Sequence, residues 1–538
     1  MDKIKQYFST IYQSMPFFWI LFSIFSFEII SFAGWNFPVM NWSVFVLILL
    51  VTFIFALQRL HYGIFIIFTE LFIGSKGYLF SLPIGDFTLS IRIGLFLVVF
   101  LAYIIWIIRE KKIIFFHWPL WKPYCALMLL VMYGVVTGWL RGNEFSTLFF
   151  DANGYIYIGL VLPLTQAIRS RKVFNQLIAV CIAASLALMI KTVLMLFLFS
   201  QLELFRYILP GIYRWIRESG VGEITRFPNG FSRIFFQSHI YIVLLFTFLS
   251  IWFVLHAPLR KNEWKNTTII VTYILFAFSA LVIFLSYSRS FWVSIITTGI
   301  ILAVWLLITQ KISFKRLMIA SIVLVCTLAF DYLLALAIVN IPLPGSQGVG
   351  ASALLAERTK DIGTEPAAQS RMELLKPLTQ KTLEHPIFGS GLGTTVTYKS
   401  SDPRNLVNNP NGLYTTYAFE WGYLDLWLKF GAIGIGIYVY FFYSLYHMAK
   451  NSIYSHALNE SPHRLLPVHN QNQTEIIAAI FSLITLLGIH FFTPYLNHPL
   501  GIGWILIVSL IITINVNVIS SKDKSINAST AHALLNLS

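Results

Sequence analysis

The chain has 538 residues, 57% of them hydrophobic, 16% aromatic and only 11% charged, with a net charge of +15. Soluble globular proteins carry about 25% charged residues, so this chain has too little charge to cover a water-facing surface. Its mean hydropathy of +0.73 points to the bilayer as its solvent and argues against a soluble enzyme, a disordered scaffold or a nucleic-acid binder.

A helix needs about 20 mostly apolar residues to cross about 30 Å of hydrocarbon. Such runs predict spans, in chain order, at 16–34, 43–57, 64–80, 91–108, 123–140, 154–168 and 173–200. Seven more follow at 237–256, 267–287, 291–308, 317–338, 423–447, 474–492 and 499–518. The expected fold is therefore all-α, a polytopic membrane helix bundle of 12–14 spans. The first run is long and aromatic, contains Glu28 and lacks a small-residue cleavage pattern, so it reads as a retained span. The expected divisions are 1–236, holding the N-terminal spans and a first long outward loop, and 237–338, further spans. A large extracytoplasmic loop at 339–422, C-terminal spans at 423–520 and a cytoplasmic tail at 521–538 complete the chain.

Basic residues in short loops mark the cytoplasmic side. Lys3 and Lys5, Arg59, Arg109 to Lys112, Arg169 to Lys172, Arg260 with Lys261 and Lys265 all fall on one side of this count. So do Lys311, Lys315 with Arg316, Lys450, Arg464, and Lys522 with Lys524, which puts both termini in the cytoplasm. On the other side lie two long connections, 201–236 and 339–422, that are also basic. The first holds Arg206, Arg214, Arg217, Arg226 and Arg233; the second holds Arg358, Lys360, Arg371, Lys376, Lys381, Lys399 and Arg404. Each alone reads as an ordinary surface charge, but as a group they suggest an outward anion site, since guanidinium binds phosphate through a planar fork. An amphipathic stretch from Ser370 to Leu383 and a Gly-rich turn suggest that the second loop folds back over the membrane mouth.

The chain has no Walker loop, dinucleotide fingerprint, HExxH or nucleophile elbow. Cys125, Cys181 and Cys326 lie in apolar runs, and neither they nor the histidines have metal-ligand spacing, so no metal and no cofactor is expected. Gly389-Ser390-Gly391-Leu392-Gly393 lacks a preceding strand and a following Lys-Ser/Thr, and reads as a turn rather than a phosphate cradle. His239, His490 and His498 read as interfacial hydrogen-bonded anchors, and Asp425 with Lys429 as an i, i+4 salt bridge. Asp151 to Gly154 reads as a helix-starting turn, and Glu28 and Lys191 are the mid-span ionisable residues, the lysine able to snorkel. Arg289, in Ser286-Tyr287-Ser288-Arg289-Ser290, lies between two apolar runs at the outer interface, where an arginine marks a functional site or an anchor.

A Ser-Arg pair opens a span and an Arg (Arg371) stands early in the large loop. Pro386-Ile387-Phe388-Gly389-Ser390-Gly391-Leu392-Gly393 follows, then Glu420 ahead of a span carrying Gly431-Ala432-Ile433-Gly434. In that order, over about Arg233 to Gly436, the pattern resembles the bacterial O-antigen ligase and O-antigen polymerase family of polytopic glycosyltransferases. The resemblance implies that Arg289 and Arg371 bind the diphosphate of an undecaprenyl-diphosphate-linked glycan, with Arg233 as a third contact. Ligases of that family have His-Asn eleven residues before the first glycine of Gly-x-x-Gly, where this chain has Glu420-Trp421. That departure favours a polymerase-like or divergent member, with Glu420 as the catalytic residue accepting the proton of a sugar hydroxyl.

The implied activity is polymerisation of lipid-linked oligosaccharide repeats on the outer face of the bacterial cytoplasmic (inner) membrane, metal-independent and inverting at the anomeric carbon. The implied partners are the undecaprenyl-diphosphate-linked glycan donor and acceptor, the lipid bilayer and a chain-length regulator, with no nucleic acid. Two alternatives stay open: an O-antigen ligase transferring glycan to lipid A core or another acceptor, and a lipid-linked oligosaccharide flippase. The halves show no internal repeat of the kind transporters carry, and the large outward loop favours the enzyme.

Overall fold

The computed structural model describes residues 17–85, 87–227, 230–256, 267–309, 314–343, 366–402, 406, 409–455 and 471–516. Lys3, Lys5, Arg260, Lys261, Lys265, Lys311, Arg464, Lys522 and Lys524 lie outside the described residues, as do Arg358, Lys360, Arg404 and the tail at 521–538.

Hydrocarbon offers the backbone no water, so an apolar run satisfies its own N–H and C=O groups as a helix. In chain order these are α1 (Phe17–Asn36), α2 (Pro38–Gln58), α3 (Leu60–Gly74), α4 (Ile91–Glu110) and α5 (Trp121–Leu140). Next, α6 (Phe145–Tyr155) passes through a 3-10 stretch (Ile156–Leu160) into α7 (Val161–Ala167). Then come α8 (Arg171–Ser200), the short α9 (Leu209–Glu218), α10 (His239–His256), α11 (Thr267–Ser286) and α12 (Arg289–Ile308). The chain continues with α13 (Phe314–Val339), α14 (Pro366–Glu384), α15 (Gly422–Ser455) and α16 (Gln471–Phe492), and with α17 (Pro499–Val516). Among the described residues, twelve segments are long and apolar enough to cross a membrane, α6 and α7 counting as one, and α3 and α10 are shorter apolar helices. The chain is an all-α polytopic bundle. Ser90 and Ser170 start α4 and α8 by accepting the N–H of Ile93 and Val173, and Pro38 stands in the first turn of α2, where its missing N–H costs nothing.

Two sequence readings are corrected. The run expected at 64–80 stops at Gly74, because Ser75 (φ 50°) and Gly77 (φ 91°) turn into the left-handed region. The chain then enters a hairpin of β1 (Ser81–Ile84) and β2 (Phe87–Ser90). Asp151, Asn153 and Gly154 do not start a helix; they lie inside α6, because Asp151 is needed there as a buried partner for Lys429.

Lys191 does not snorkel. Its Nζ lies 2.5 Å from Oε1 of Glu28, and both side chains are buried between α8 and α1. Arg92 and Glu70 form a second buried pair, with Nε and Nη2 at 2.8 and 2.9 Å from the two carboxylate oxygens. Pairing is what makes charges tolerable at this depth, where a lone one is costly.

Contacts between connections define the two ends of the bundle. At one end Ser31 Oγ donates to Leu79 O (2.6 Å), Ser75 N to Ser238 Oγ (3.0 Å), Asn143 Nδ2 to Leu392 O (2.8 Å) and Tyr495 Oη to Gln237 O (3.3 Å). At the other, Arg169 pairs with Glu110 at 3.0 Å and Arg171 with Glu475 at 2.9 Å, and Arg316 donates to Leu255 O. The long connections belong to the first end and carry their own structure. The first holds α9 and an antiparallel hairpin of β3 (Gly222–Arg226) with β4 (Ser232–Phe236). The second holds α14, at the amphipathic stretch read from sequence, and a hairpin of β5 (Val396–Lys399) with β6 (Leu413–Thr416). Leu374 and Leu378 of α14 pack with Val396, Tyr398, Phe419 and Leu428 as a small separate core.

Candidate functional site

α12 begins at Arg289 directly after the tight turn Ser286-Tyr287-Ser288. Tyr287 adopts φ 49°, a costly conformation for a bulky residue. It is held there by burial against Phe227 and Phe231, with ring centroids 5.8 and 5.1 Å away. From β4, Arg233 donates Nε–H to the carbonyl of Ser286 at 2.9 Å, while its guanidinium lies 4.9 Å from the Phe235 ring centre. The structure thus joins Arg233 to the turn that presents Arg289, and both are half-buried.

Arg371, on α14, forms an ion pair with Glu420 through Nε and Oε2. The next residue ties the same elements again, since Trp421 Nε1 donates to the Arg371 carbonyl at 2.9 Å. The pair is half-exposed, at 42% and 49% of side-chain accessibility, so it stands at the mouth of the bundle. The last turns of α16 connect the two groups. Tyr423 Oη donates to Leu487 O at 2.9 Å, Trp421 packs edge-on to Phe491 at 5.8 Å, and a Cβ on Gly488 would meet Ser294 Oγ of α12 at 3.1 Å. Arg233, Arg289, Arg371 and Glu420 therefore share one end of the molecule, as two linked groups.

Beneath them lies a buried cluster that sequence spacing shows only in part. Lys429 Nζ sits 2.6 Å from Asp425 on its own helix and 2.7 Å from Asp151 on α6. Asp425 also accepts from Asn497, in the connection between α16 and α17. The other oxygen of Asp151 accepts the N–H of Gly393 at 2.8 Å. Asp151 comes from a helix remote in sequence, so no local period could have singled it out; its only signal was a carboxylate in an apolar stretch.

The glycine turn threads into the bundle above this cluster. The N–H groups of Ser390 and Gly391 donate to Leu428 O (2.6 Å) and Lys429 O (2.9 Å), and that of Leu392 to Gly134 O (2.9 Å). With Gly393 on Asp151, all four amides are committed to protein acceptors, so the segment works as a joint. It meets α15 where that helix kinks at Gly431 (φ 66°, ψ −166°), and the kink frees amides of Ala432 and Ile433 for Pro386 O and Ile387 O. Gly391 (φ 84°) has no room for a side chain, since a Cβ would stand 2.8 Å from the Thr137 carbonyl carbon. Gly391→Ala is expected to cost about 2 kcal/mol or more, combining left-handed strain with overpacking. Gly142→Ala, also at positive φ (76°) but with nothing within 4 Å of the new methyl, should cost only the strain. Thermal midpoints of the purified proteins in detergent compare the two.

His239, His490 and His498 each accept or share hydrogen bonds in the packed interior. His239 Nε2 meets Thr192 Oγ1 at 2.9 Å, and its Nδ1 accepts from Phe236 N at 3.3 Å. His490 Nδ1 accepts from Leu496 N, and His498 Nδ1 from Leu500 N. Desolvation in the packed turn, with Arg92 and Lys76 nearby, pushes the His498 imidazole down to about 3, which keeps it a neutral acceptor. Among the described residues no group of three or more His, Cys, Asp or Glu could hold a metal ion.

No curated protein matches the chain. Residues 274–439 match the family model described as O-antigen ligase, an interval holding Arg289, Arg371, the glycine turn, Glu420 and Lys429, with Arg233 outside it. The chain is a multi-pass membrane protein whose residues 274–439 are similar to the O-antigen ligase family.

Proposed function

We propose that this protein is a glycosyltransferase of the bacterial cytoplasmic membrane. It polymerises undecaprenyl-diphosphate-linked oligosaccharide repeats on the outer face, with inversion and without a metal. The observation that carries this reading is the Arg371–Glu420 pair at the mouth, on the same end as Arg289 and Arg233. The short basic connections of the opposite end support a cytoplasmic location for it, which leaves this mouth facing outward.

Outside the cytoplasm there is no ATP, so the donor must arrive activated. A lipid diphosphate is such a donor, and its charge grows as the bond from the anomeric carbon to the phosphate oxygen breaks. Arg289 and Arg371 stabilise that charge through bidentate forks, with Arg233 supporting Arg289. An acceptor hydroxyl attacks the anomeric carbon from the opposite side, its proton passes to Glu420, and the lipid diphosphate leaves. In the resting state Glu420 is occupied by Arg371. An arriving diphosphate carries more charge than one carboxylate and competes for the guanidinium, which frees Glu420 only when a donor is present.

Ligation to a different acceptor is the second reading, favoured by the description of the matched family; polymerisation is favoured by Glu420 at the position of the family histidine. Purified protein supplied with lipid-linked repeats alone should build a ladder of longer lipid-linked products. Product only after lipid A core is added would replace polymerase by ligase. Glu420→Gln should retain membrane levels and lose transfer, as should Glu420→Ala. Wild-type product length in both variants would remove Glu420 from the reaction.

A further inference from the structure

The connection after α8 carries an exposed surface that the transfer chemistry does not use. From Leu204 to Arg217 the chain has three arginines, Arg206, Arg214 and Arg217, and no Asp or Glu. α9 buries Leu209, Ile212, Trp215 and Ile216 and turns Arg214 and Arg217 outward. The buried face rests on the end of α1: Trp215 packs against Phe32 at 5.8 Å, and Trp35 Nε1 donates to Glu218 at 2.9 Å. Since α1 crosses the membrane and ends at Asn36, α9 lies at the level where the hydrocarbon stops. Directly after α1, Phe37 and Val39 are 64% and 70% exposed.

Two tyrosine–arginine couples mark this surface. Arg206 lies over the ring of Tyr207 at 4.7 Å and donates to its hydroxyl at 2.6 Å, and Arg217 donates to Tyr213 Oη at 3.0 Å. Tyr207 is 85% exposed, beside the exposed Leu204 and Ile208. In water such a cluster is unfavourable. In the headgroup layer the tyrosines and aliphatic side chains reach the acyl boundary, and the guanidinium N–H groups that Arg206 and Arg217 do not spend on the tyrosines, with those of exposed Arg214, face the phosphates.

We propose that Leu204–Arg217 is an interfacial anchor that binds the phosphates of anionic phospholipids in the adjacent leaflet, holding α9 against the membrane. The test is amide hydrogen exchange of the full chain in nanodiscs of phosphatidylcholine, alone or mixed with phosphatidylglycerol. Exchange over 204–218 should slow severalfold with phosphatidylglycerol. High salt should abolish the slowing, because such contacts are screened. R206K/R214K/R217K, which keeps the charge and loses the forks, should keep part of the effect, and R206Q/R214Q/R217Q should lose it while exchange in Ser232–Phe236 stays unchanged. Equal exchange of the wild type in both lipids overturns the proposal, as does slowing that survives high salt or persists in the glutamine variant. If inorganic phosphate in phosphatidylcholine discs reproduces the slowing, the partner is a free anion and the lipid assignment fails.

Discussion

Arg371→Ala is expected to reduce glycan transfer by about 10²–10³-fold, the usual effect of removing one preorganised donor to developing charge. It should leave the protein folded and in the membrane. The two parts rest on different physics. As a structural contact the Arg371–Glu420 pair is half-exposed, and exposed ion pairs contribute about 0–1 kcal/mol, so stability barely depends on it. As a site for the donor diphosphate, Arg371 meets far more charge than a single carboxylate, and its fork geometry becomes useful only there. Arg371→Lys keeps the charge and loses the fork, so it should fall between wild type and alanine. Arg289→Ala should match Arg371→Ala in transfer, whereas Arg233→Ala should act less severely, because Arg233 spends its Nε on Ser286 and reaches the site through that turn. Transfer is measured on purified protein with lipid-linked repeats, and folding by the thermal midpoint. Full transfer by both alanine variants at normal midpoint would refute the diphosphate assignment.

Lys429→Met is expected to act in the opposite way, on the fold first. Lys429 is 1% exposed and is the sole cation that the described structure places between Asp151 and Asp425. Removing one partner from a buried charge cluster costs about 3–5 kcal/mol, because the remaining charge is left uncompensated. Here two carboxylates would be left facing each other. The variant should therefore be depleted from membranes and unfold at a lower temperature in detergent. Asp151→Asn removes one of two carboxylates and leaves a balanced pair, so it should be milder, and D151N/K429M should recover part of the loss. An unchanged midpoint for Lys429→Met would show that the cluster does not clamp the bundle. Because Asp151 also holds the Gly393 amide, loosening it should release the glycine turn and lower transfer even where protein survives.

Much of the fold was legible because a bilayer leaves the chain few options. Length of apolar run and placement of short basic loops are local properties, and every expected span has a helix. What was misread are places where one distant contact outweighs local pattern. α3 stops early at Ser75, whose N–H and hydroxyl are held by Ser238. Asp151 looks like a cap in sequence and is the partner of a lysine 278 positions away. Glu28 and Lys191 looked like isolated mid-span charges and are each other's counter-ion.

The same division runs through the site. Sequence by itself determined the solvent, the order of the apolar helices, the basic loops and the motif order that singles out Arg233, Arg289, Arg371 and Glu420. Those depend on composition and on neighbours within a few residues. Only the tertiary structure decided that Glu420 rests against Arg371, that Arg233 serves the turn before Arg289, and that the amides of the glycine turn are already occupied. A side chain's partner is chosen by which helices pack together, and packing joins residues whose separation in sequence carries no information about their distance.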